Sequence, residues 1–294
     1  MEKLIVTACA KINWTLDITG RREDGYHLMD MLMQPVSLAD TVTLTTADNL
    51  TLITGGEPYL PPDESHLAWR AAAALKAATG TQQGAVIEVI KQIPVGAGMG
   101  GGSADAAAVL IGLNRLWKLQ LSMAELERIG LTLGADVPYF IRGGLTRTRG
   151  IGEQLEQLPC ARTYPLCVIQ PCEGLSTGAV FKAYHACENV GRPATDDAQR
   201  ALMQGDSTLL ARSLANVMQP VSEQMRPEIS QAIAALREQG AIAALMTGSG
   251  SAVFGVFEGN DAAANACHTL KNRWDRCWAC ETVAGDAILV REAE

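Results

Sequence analysis

Alternating apolar and polar positions predict β-strands in the first part of the chain. They cover residues 4–6, 12–16 and 41–44, and the polar, glycine-bounded segment 20–25 predicts a turn after the second of them. The period then changes to that of a helix over residues 63–80, which begin with acidic residues and end at a glycine.

A strand over residues 85–90 leads into a glycine-rich segment. The helical pattern that follows covers 103–117, and Ser103 is predicted to be its N-cap. Another helix is predicted over 122–133, since Ser122 and the glutamate three residues later form a capping box.

Strands and helices also alternate in the second half of the chain. The predicted strands are 166–170, 242–246, 252–257 and 287–291. The predicted helices begin near 176, lie between 196 and 239, and cover 261–273. The last helix and strand are expected to complete an α+β layer. A change of composition over 143–152, followed by Pro159, predicts a boundary between domains 1–155 and 156–294.

Length, composition and charge limit the function classes. The 294 residues are 48% hydrophobic and 19% charged, as in globular proteins, and suffice for one large or two ordinary domains. The net charge of −8 argues against a general nucleic-acid or anionic-membrane surface. No apolar run approaches the roughly 20 residues of a membrane helix. Only Glu2 and Lys3 precede the N-terminal apolar run, so a first strand explains it better than an export signal, and we expect a cytoplasmic protein.

The eight cysteines are then expected to be reduced thiols. Cys277 and Cys280 have the spacing of a metal or redox pair, but no second pair accompanies them and His268 is the only nearby candidate ligand. We interpret them as core or surface thiols, and a metal or redox role stays open as the alternative.

Five glycines lie within residues 96–102, between a predicted strand and a predicted helix. The spacing satisfies G-x-G-x-x-G, but that dinucleotide motif belongs to an opening βαβ unit and this one begins 95 residues into the chain. A P-loop would need a lysine near the end of the loop, and none occurs between Lys91 and Lys118. A tight turn between a strand and a helix, the third alternative, would need fewer than five glycines. We therefore expect backbone N–H groups and the helix N-terminus to bind a phosphate there.

Residues 94–110, PVGAGMGGGSADAAAVL, resemble the phosphate loop of the GHMP kinases, with Met99 and Ala104 where the family pattern has Leu and Ser. Four other blocks resemble the branch of that superfamily acting on cytidine diphosphate methylerythritol: ACAKIN (8–13), GRREDGYH (20–27), LGADVPYF (133–140) and MTGSGS (246–251). The resemblance implies an α+β, two-domain GHMP kinase fold. Its N-terminal domain would be like ribosomal protein S5 domain 2, with the phosphate loop and the catalytic Asp, and its C-terminal domain would be ferredoxin-like.

The resemblance also implies roles for individual residues. Lys11 and Asp136 would be catalytic, with Asp136 as the general base or orienting carboxylate for a substrate hydroxyl and Lys11 holding it ionised. Residues implied to bind ATP are Pro94, Gly96, Gly98, Gly100, Gly101, Gly102, Ser103, Ala104 and His66. Residues implied to bind the substrate are Asn13, Tyr26, His27, Phe181, Gly248, Ser249 and Gly250.

Within these sets, Tyr26 and Phe181 would stack on the cytosine and His27 would hydrogen-bond its edge. His66 stands where the family has an Asn that contacts adenine, which makes a preference for ATP less secure. Mg²⁺ would bridge the ATP phosphates, and Ser103 is only a candidate ligand, so no metal ligands are assigned.

Plainer interpretations of the same residues stay open. Asp136 could cap a helix, Lys11 could be an exposed strand charge, Phe181 could belong to the core, and His66 could be an exposed helix residue. The alternative functions are another GHMP kinase, acting on homoserine or a sugar, a catalytically silent binding protein of this fold, and a nicotinamide enzyme. The partner is expected to be a small molecule, without nucleic acid or membrane, and the resemblance allows a homodimer.

Overall fold

A computed structural model describes residues 2–56, 60–184 and 191–293. The strands are β1 (Lys3–Arg21), β2 (His27–Ala47), β3 (Thr51–Gly56), β4 (Gly84–Lys91), β5 (Thr146–Gly150), β6 (Gln154–Gln157), β7 (Pro165–Ile169), β8 (Ala215–Asn216), β9 (Ala243–Met246), β10 (Val253–Val256), β11 (Cys277–Glu281) and β12 (Ile288–Glu292). The helices are α1 (Leu67–Thr79), α2 (Gly101–Leu116), α3 (Met123–Leu131), α4 (Val137–Arg142), α5 (Thr177–Tyr184), α6 (Thr195–Gln204), α7 (Ser207–Ser213), α8 (Gln219–Met225), α9 (Glu228–Glu238) and α10 (Asn260–Leu270). The α+β class predicted from the sequence is confirmed.

The first sheet is mixed and has eight strands, with the central order β12-β1-β2-β4-β3. Its long hairpin, β1 with β2, is antiparallel and shifts register between Cys9 and Ala10, between Asn13 and Thr15, and between Ile18 and Gly20. The prediction of two separate strands at 4–6 and 12–16 was therefore wrong. Such irregularities interrupt the simple alternation of a strand without ending it.

The second sheet is antiparallel, in the order β11-β7-β10-β9. Helices connect β7 to β9, and α10 connects β10 to β11. This is the β-α-β-β-α-β arrangement of ferredoxin-like folds, as the sequence analysis expected. The prediction that the last strand completes this layer was wrong: β12 pairs with β1, and β11, which was not predicted, fills that place. Strands β3, β5 and β6 and helix α4 were also not predicted, and β8 lies in a segment that was predicted to be helical.

Helix α1 begins at Leu67, later than predicted. The carboxylate of Asp63 accepts hydrogen bonds from the backbone N–H and hydroxyl of Ser65, at 2.8 and 2.5 Å, and this turn precedes the helix. His66 is the N-cap, since its Nδ1 accepts from the Ala68 N–H at 3.1 Å. The interpretation of His66 as an exposed helix residue was wrong.

Helix α2 begins at Gly101, two residues before the predicted start. Its N-cap is Gly100, in the left-handed conformation, so Ser103 lies in the first turn and the prediction of Ser103 as N-cap was wrong. Helix α3 does open with the predicted capping box, in which Ser122 and Glu125 bond reciprocally.

The two sheets meet at Trp14, which is fully buried. Its ring makes edge contacts with Tyr164 and Phe254, at centroid distances of 5.3 and 5.7 Å. The indole N–H donates to Gln34 Oε1 at 2.8 Å, so this junction is apolar but leaves the donor satisfied. Within the described residues, no helix has the length and apolar character that a bilayer span needs.

Candidate active site

A cavity of about 1210 Å³ lies where the glycine-rich loop before α2, the strands β1 and β2 and the loop after β9 converge. It exceeds the ~300–1,000 Å³ of ordinary small-molecule sites, so two ligands can lie in it side by side. The sequence-predicted residues that line it are Lys11, Asn13, Tyr26, His27, His66, Pro94, Gly96, Gly98, Gly100, Gly101, Gly102, Ser103, Asp136, Phe181, Gly248 and Ser249. Two others do not line it. Ala104 is buried and its N–H donates to the Gly100 carbonyl inside the helix, and Gly250 donates its N–H to the Thr247 carbonyl.

The glycine-rich loop is held through its carbonyl groups. The carbonyl of Ala97 accepts from the Ala252 N–H at 3.1 Å, that of Gly98 from Lys11 Nζ at 2.6 Å, and that of Met99 from the Lys11 N–H at 3.0 Å. The side chains of Ala97 and Met99 are buried. Because these carbonyls are committed to the protein, the free N–H groups of the first turn of α2 are left for an anion.

Gly98 brings this loop against the loop after β9. Its φ is +77°, and a Cβ there would lie 2.3 Å from the Thr247 carbonyl oxygen. From the opposite side, a Cβ on Gly248 would lie 2.7 Å from the Gly98 carbonyl oxygen. The two glycine-containing loops therefore touch backbone to backbone, and only residues without a side chain allow it.

Lys11 and Asn13 connect β1 to both loops. Lys11 is 4% exposed, and its Nζ donates to Asn13 Oδ1 and to the Gly98 carbonyl, both at 2.6 Å. Asn13 Oδ1 also accepts from the Gly248 N–H at 3.1 Å. The N–H groups of Gly248 and Gly250 are thus both used within the protein. The interpretation of Lys11 as an exposed strand charge was wrong.

Asp136 precedes α4 and lines the same cavity. It occupies the N-cap position with helical backbone angles, and its carboxylate makes no capping hydrogen bond, so the helix-cap interpretation does not account for it. Burial lowers the pKa of Lys11, and the negative charge of Asp136 raises it. A half-buried carboxylate and a buried ammonium therefore face one cavity, an arrangement suited to moving a proton from a hydroxyl while stabilising negative charge.

A buried cluster of charges, Lys91 with Asp40 and Asp105, lies beneath the glycine-rich loop and was missed in the sequence. Lys91 Nζ bonds to both carboxylates, at 2.7 Å for Asp105, and Asp40 also accepts from the N–H groups of Gln92 and Ile93. Burial raises the pKa of Asp105 to about 7, although the charge of Lys91 opposes this. Two carboxylates share one ammonium, so a proton on Asp105 neutralises the cluster.

Asp105 Oδ1 is buried without a hydrogen-bond partner among the described residues, and Asp105 and Lys91 both line the cavity. The signal available in the sequence was an aspartate inside the loop block itself.

His66 contributes a second unpartnered polar atom. The imidazole is 8% exposed, and its Nε2 has no hydrogen-bond partner among the described residues. Burial and the nearby charge of Lys91 lower the pKa of His66. Since Nδ1 accepts from Ala68, the neutral ring carries its proton on Nε2, which is a buried donor beside the cavity.

Three aromatic side chains, Tyr26, His27 and Phe181, also line the cavity. Tyr26 is 61% exposed, whereas Phe181 is half-buried and lines the cavity, so Phe181 is more than a core residue. His27 stacks on Phe181, with centroids 4.2 Å apart and planes 9° from parallel. His27 therefore covers one face of the Phe181 ring.

Family comparisons agree with this geometry. Residues 66–144 match the GHMP kinases N terminal domain and residues 198–276 match the GHMP kinases C terminal domain. A curated relative, the 4-diphosphocytidyl-2-C-methyl-D-erythritol kinase of Symbiobacterium thermophilum, is 40% identical over 275 residues, which cover 93% of this chain and 98% of the relative.

Solved structures agree on the fold. The chain resembles a crystal structure of 4-(cytidine 5'-diphospho)-2C-methyl-D-erythritol kinase with a TM-score of 0.83 and 34% identity, covering 96% of this chain and all of the other. A homoserine kinase from Cytophaga hutchinsonii matches with a TM-score of 0.73 at 18% identity, covering 99% of this chain and 98% of the other, and shows only the shared fold. The predicted two-domain GHMP kinase fold is confirmed, and the dinucleotide-binding alternative is wrong.

Proposed function

Since this chain belongs to the GHMP kinases, and within them to the family of 4-diphosphocytidyl-2-C-methyl-D-erythritol kinases, we propose that it transfers the γ-phosphoryl group of ATP to the 2-hydroxyl of that substrate. The reaction belongs to the non-mevalonate route to isoprenoid precursors. The observation that carries the proposal is the placement of Asp136, Lys11 and the glycine-rich loop around one cavity large enough for two ligands.

The glycine-rich loop holds the ATP phosphates in this proposal. The carbonyl groups of Ala97 and Met99 accept hydrogen bonds from the protein, and the N–H groups of Gly101 and Gly102 lie in the first turn of α2 beside the cavity. They donate to phosphate oxygens, with the positive end of the helix dipole behind them. His66 Nε2–H is placed to donate to the adenine, in the role that the family gives to an Asn.

Asp136 accepts the proton of the substrate hydroxyl as the oxygen forms its bond to the γ-phosphorus. The bond from that phosphorus to the bridging oxygen breaks, and ADP leaves with the electron pair. Lys11, held by Asn13 and Gly98, places an ammonium charge beside the transferring group. Positioning and charge stabilisation of this kind are what phosphoryl transfer requires of a protein.

The residues present also fit a Mg²⁺ ion that accompanies ATP. The Ser103 hydroxyl and the Asp136 carboxylate line the same cavity, and both offer the hard oxygen ligands that Mg²⁺ prefers. When bound with ATP, Mg²⁺ would neutralise phosphate charge.

Tyr26, His27 and Phe181 bind the cytosine end of the substrate in this proposal. The stacked pair of His27 and Phe181 offers a flat surface for the base, and Tyr26 is exposed enough to close over it. Homoserine and sugars have no aromatic base that would use this surface.

The test is ADP release with Mg-ATP and four acceptors: the cytidylyl methylerythritol substrate, homoserine, galactose and mevalonate. We expect turnover on the first alone, and NMR of the product should place the new phosphate on the 2-hydroxyl. Comparable turnover on another alcohol would overturn the substrate assignment while leaving the kinase assignment. ATP binding without turnover on any acceptor would support the silent-binder alternative.

We further propose a cytoplasmic location, a homodimer, and domains bounded near residue 155, with β12 returning to the sheet of the first domain. The 93% coverage by a full-length curated relative supports a chain that carries both family domains. Sedimentation of the purified chain tests the dimer, which a mass equal to one chain of 31.3 kDa would exclude.

A further inference from the structure

Three cysteine side chains meet inside the second sheet. Cys167 lies on β7, Cys277 on β11 and Cys267 on α10, which packs against that sheet, and all three are buried. Cys277 Sγ lies 3.6 Å from Cys167 Sγ and 3.4 Å from Cys267 Sγ, and the three sulfur atoms all lie within 4.8 Å of one another. We call this group the three-sulfur cluster.

The register of the strands explains why this cluster cannot be recognised from the spacing of cysteines in the sequence. Cys167 pairs with Ala279, two residues after Cys277, so Cys167 and Cys277 are diagonal neighbours on one face of the sheet. Cys280, three residues from Cys277 on the same strand, points to the opposite face and packs in a separate core cluster. The Cys277 and Cys280 spacing therefore makes no metal or redox pair, but Cys277 finds two other sulfur partners.

From this geometry we propose that the three-sulfur cluster is a binding site for a soft monovalent cation, Cu(I). Thiolates are soft ligands that suit Cu(I). Zn²⁺ in structural sites takes four ligands, and among the described residues no His, Asp or Glu joins the three sulfur atoms. Three sulfur donors without a fourth ligand favour an ion with a coordination number of two or three.

The dimensions fit after a small adjustment. Metal–thiolate bonds are about 2.3 Å long, so a metal centred between three sulfur atoms separates each pair by about 4 Å. The two short separations here, 3.4 and 3.6 Å, need to grow by about 0.5 Å, which side-chain rotation can supply.

Binding of Cu(I) changes the protonation and the net charge of the three-sulfur cluster. An ordinary cysteine thiol has a pKa of about 8.5 and carries its proton at neutral pH when no metal is bound. Binding forms three Cu–S bonds, two to thiolates and one to a thiol that keeps its proton, releases two thiol protons to solvent and transfers no electron. The centre then carries one negative charge, and Lys271, whose charge acts on both Cys267 and Cys277, is a counter-ion.

The three-sulfur cluster is separate from the kinase cavity, since none of its cysteines lines that cavity. Binding of Cu(I) and kinase activity are therefore measured independently, and failure of one leaves the other standing.

The test is an anaerobic titration of the reduced full chain with tetrakis(acetonitrile)copper(I), in competition with bicinchoninate. We expect one Cu(I) per chain, at least about 100-fold weaker binding in Cys267→Ser and Cys277→Ser, and unchanged binding in the matched control Cys280→Ser. Equal binding by the wild type and both cluster variants would overturn the proposal, as would no retained copper.

A measurement on the wild type covers the case in which a cluster variant does not fold. The chain is alkylated with N-ethylmaleimide in mild denaturant, with and without Cu(I), and each cysteine is quantified by mass spectrometry. Protection should be confined to Cys167, Cys267 and Cys277. Equal protection of Cys160, Cys172 and Cys280 would mean adventitious binding and would contradict the proposal.

Discussion

Replacing Gly98 by alanine should loosen the contact between the two glycine-containing loops. At φ +77° an L-residue costs about 1–2 kcal/mol. The new Cβ would lie 2.3 Å from the Thr247 carbonyl oxygen, so one of the two backbones must move, at about 1–3 kcal/mol more. Together the free energy of unfolding should fall by about 2–5 kcal/mol.

Gly102→Ala is the matched control for this substitution. Gly102 lies inside α2 with ordinary backbone angles, and a Cβ there would meet only the flexible end of Leu67, at 3.1 Å. Alanine favours a helix over glycine by about 1 kcal/mol, so this variant should be as stable as the wild type or slightly more stable. Urea unfolding followed by tryptophan fluorescence measures both variants. Equal loss of stability in the two would refute the argument that the Gly98 backbone contact matters.

Three further predictions concern the cavity. Asp105→Asn removes a carboxyl group whose pKa in the folded state, about 7, exceeds its value in the unfolded state, so the stability that this group contributes is complete below about pH 4 and falls as the pH rises to 7. The free energy of unfolding of the variant should therefore gain about 1–3 kcal/mol relative to the wild type across that window. A difference that does not depend on pH would count against this argument. His66→Asn should keep the N-cap of α1, whereas His66→Ala should lose about 1 kcal/mol of stability. The KM for ATP should rise more in the alanine variant. Identical KM values in the two variants would remove His66 from the nucleotide site. Phe181→Ala should raise the KM for the cytidylyl substrate by about 5- to 150-fold with little change in the KM for ATP, and an equal rise in both would indicate general damage.

The sequence predicted most elements of the fold where one period continues without interruption. The helix over α3 was found because Ser122 and Glu125 carry a local signal that needs no distant partner. The long strand β1 was divided in two because register shifts break its alternation. The sequence analysis assigned the last strand, β12, to the second sheet and missed β11, because the local sequence of a short strand does not determine which sheet it joins.

The site was predictable as far as contiguous blocks carry it. Residues of the glycine-rich loop, Lys11 and Asp136 do line one cavity. The partners of Lys91 were not predictable, since Asp40 and Asp105 are 51 and 14 residues away and only the folded sheet brings them together. The stacking of His27 on Phe181 likewise depends on the packing of α5 against the end of the hairpin.

The role of Asp136 as the base is tested most directly by the rate of ADP release with Mg-ATP and the cytidylyl methylerythritol substrate, comparing the wild type with Asp136→Asn. Removal of a general base costs about 10²–10⁴ in rate, so kcat should fall by that factor, while the KM values of both substrates change little because the amide keeps the shape of the carboxylate. A kcat within tenfold of the wild type would contradict the assignment of Asp136 as the base. Absence of turnover in the wild type itself would contradict the proposed function.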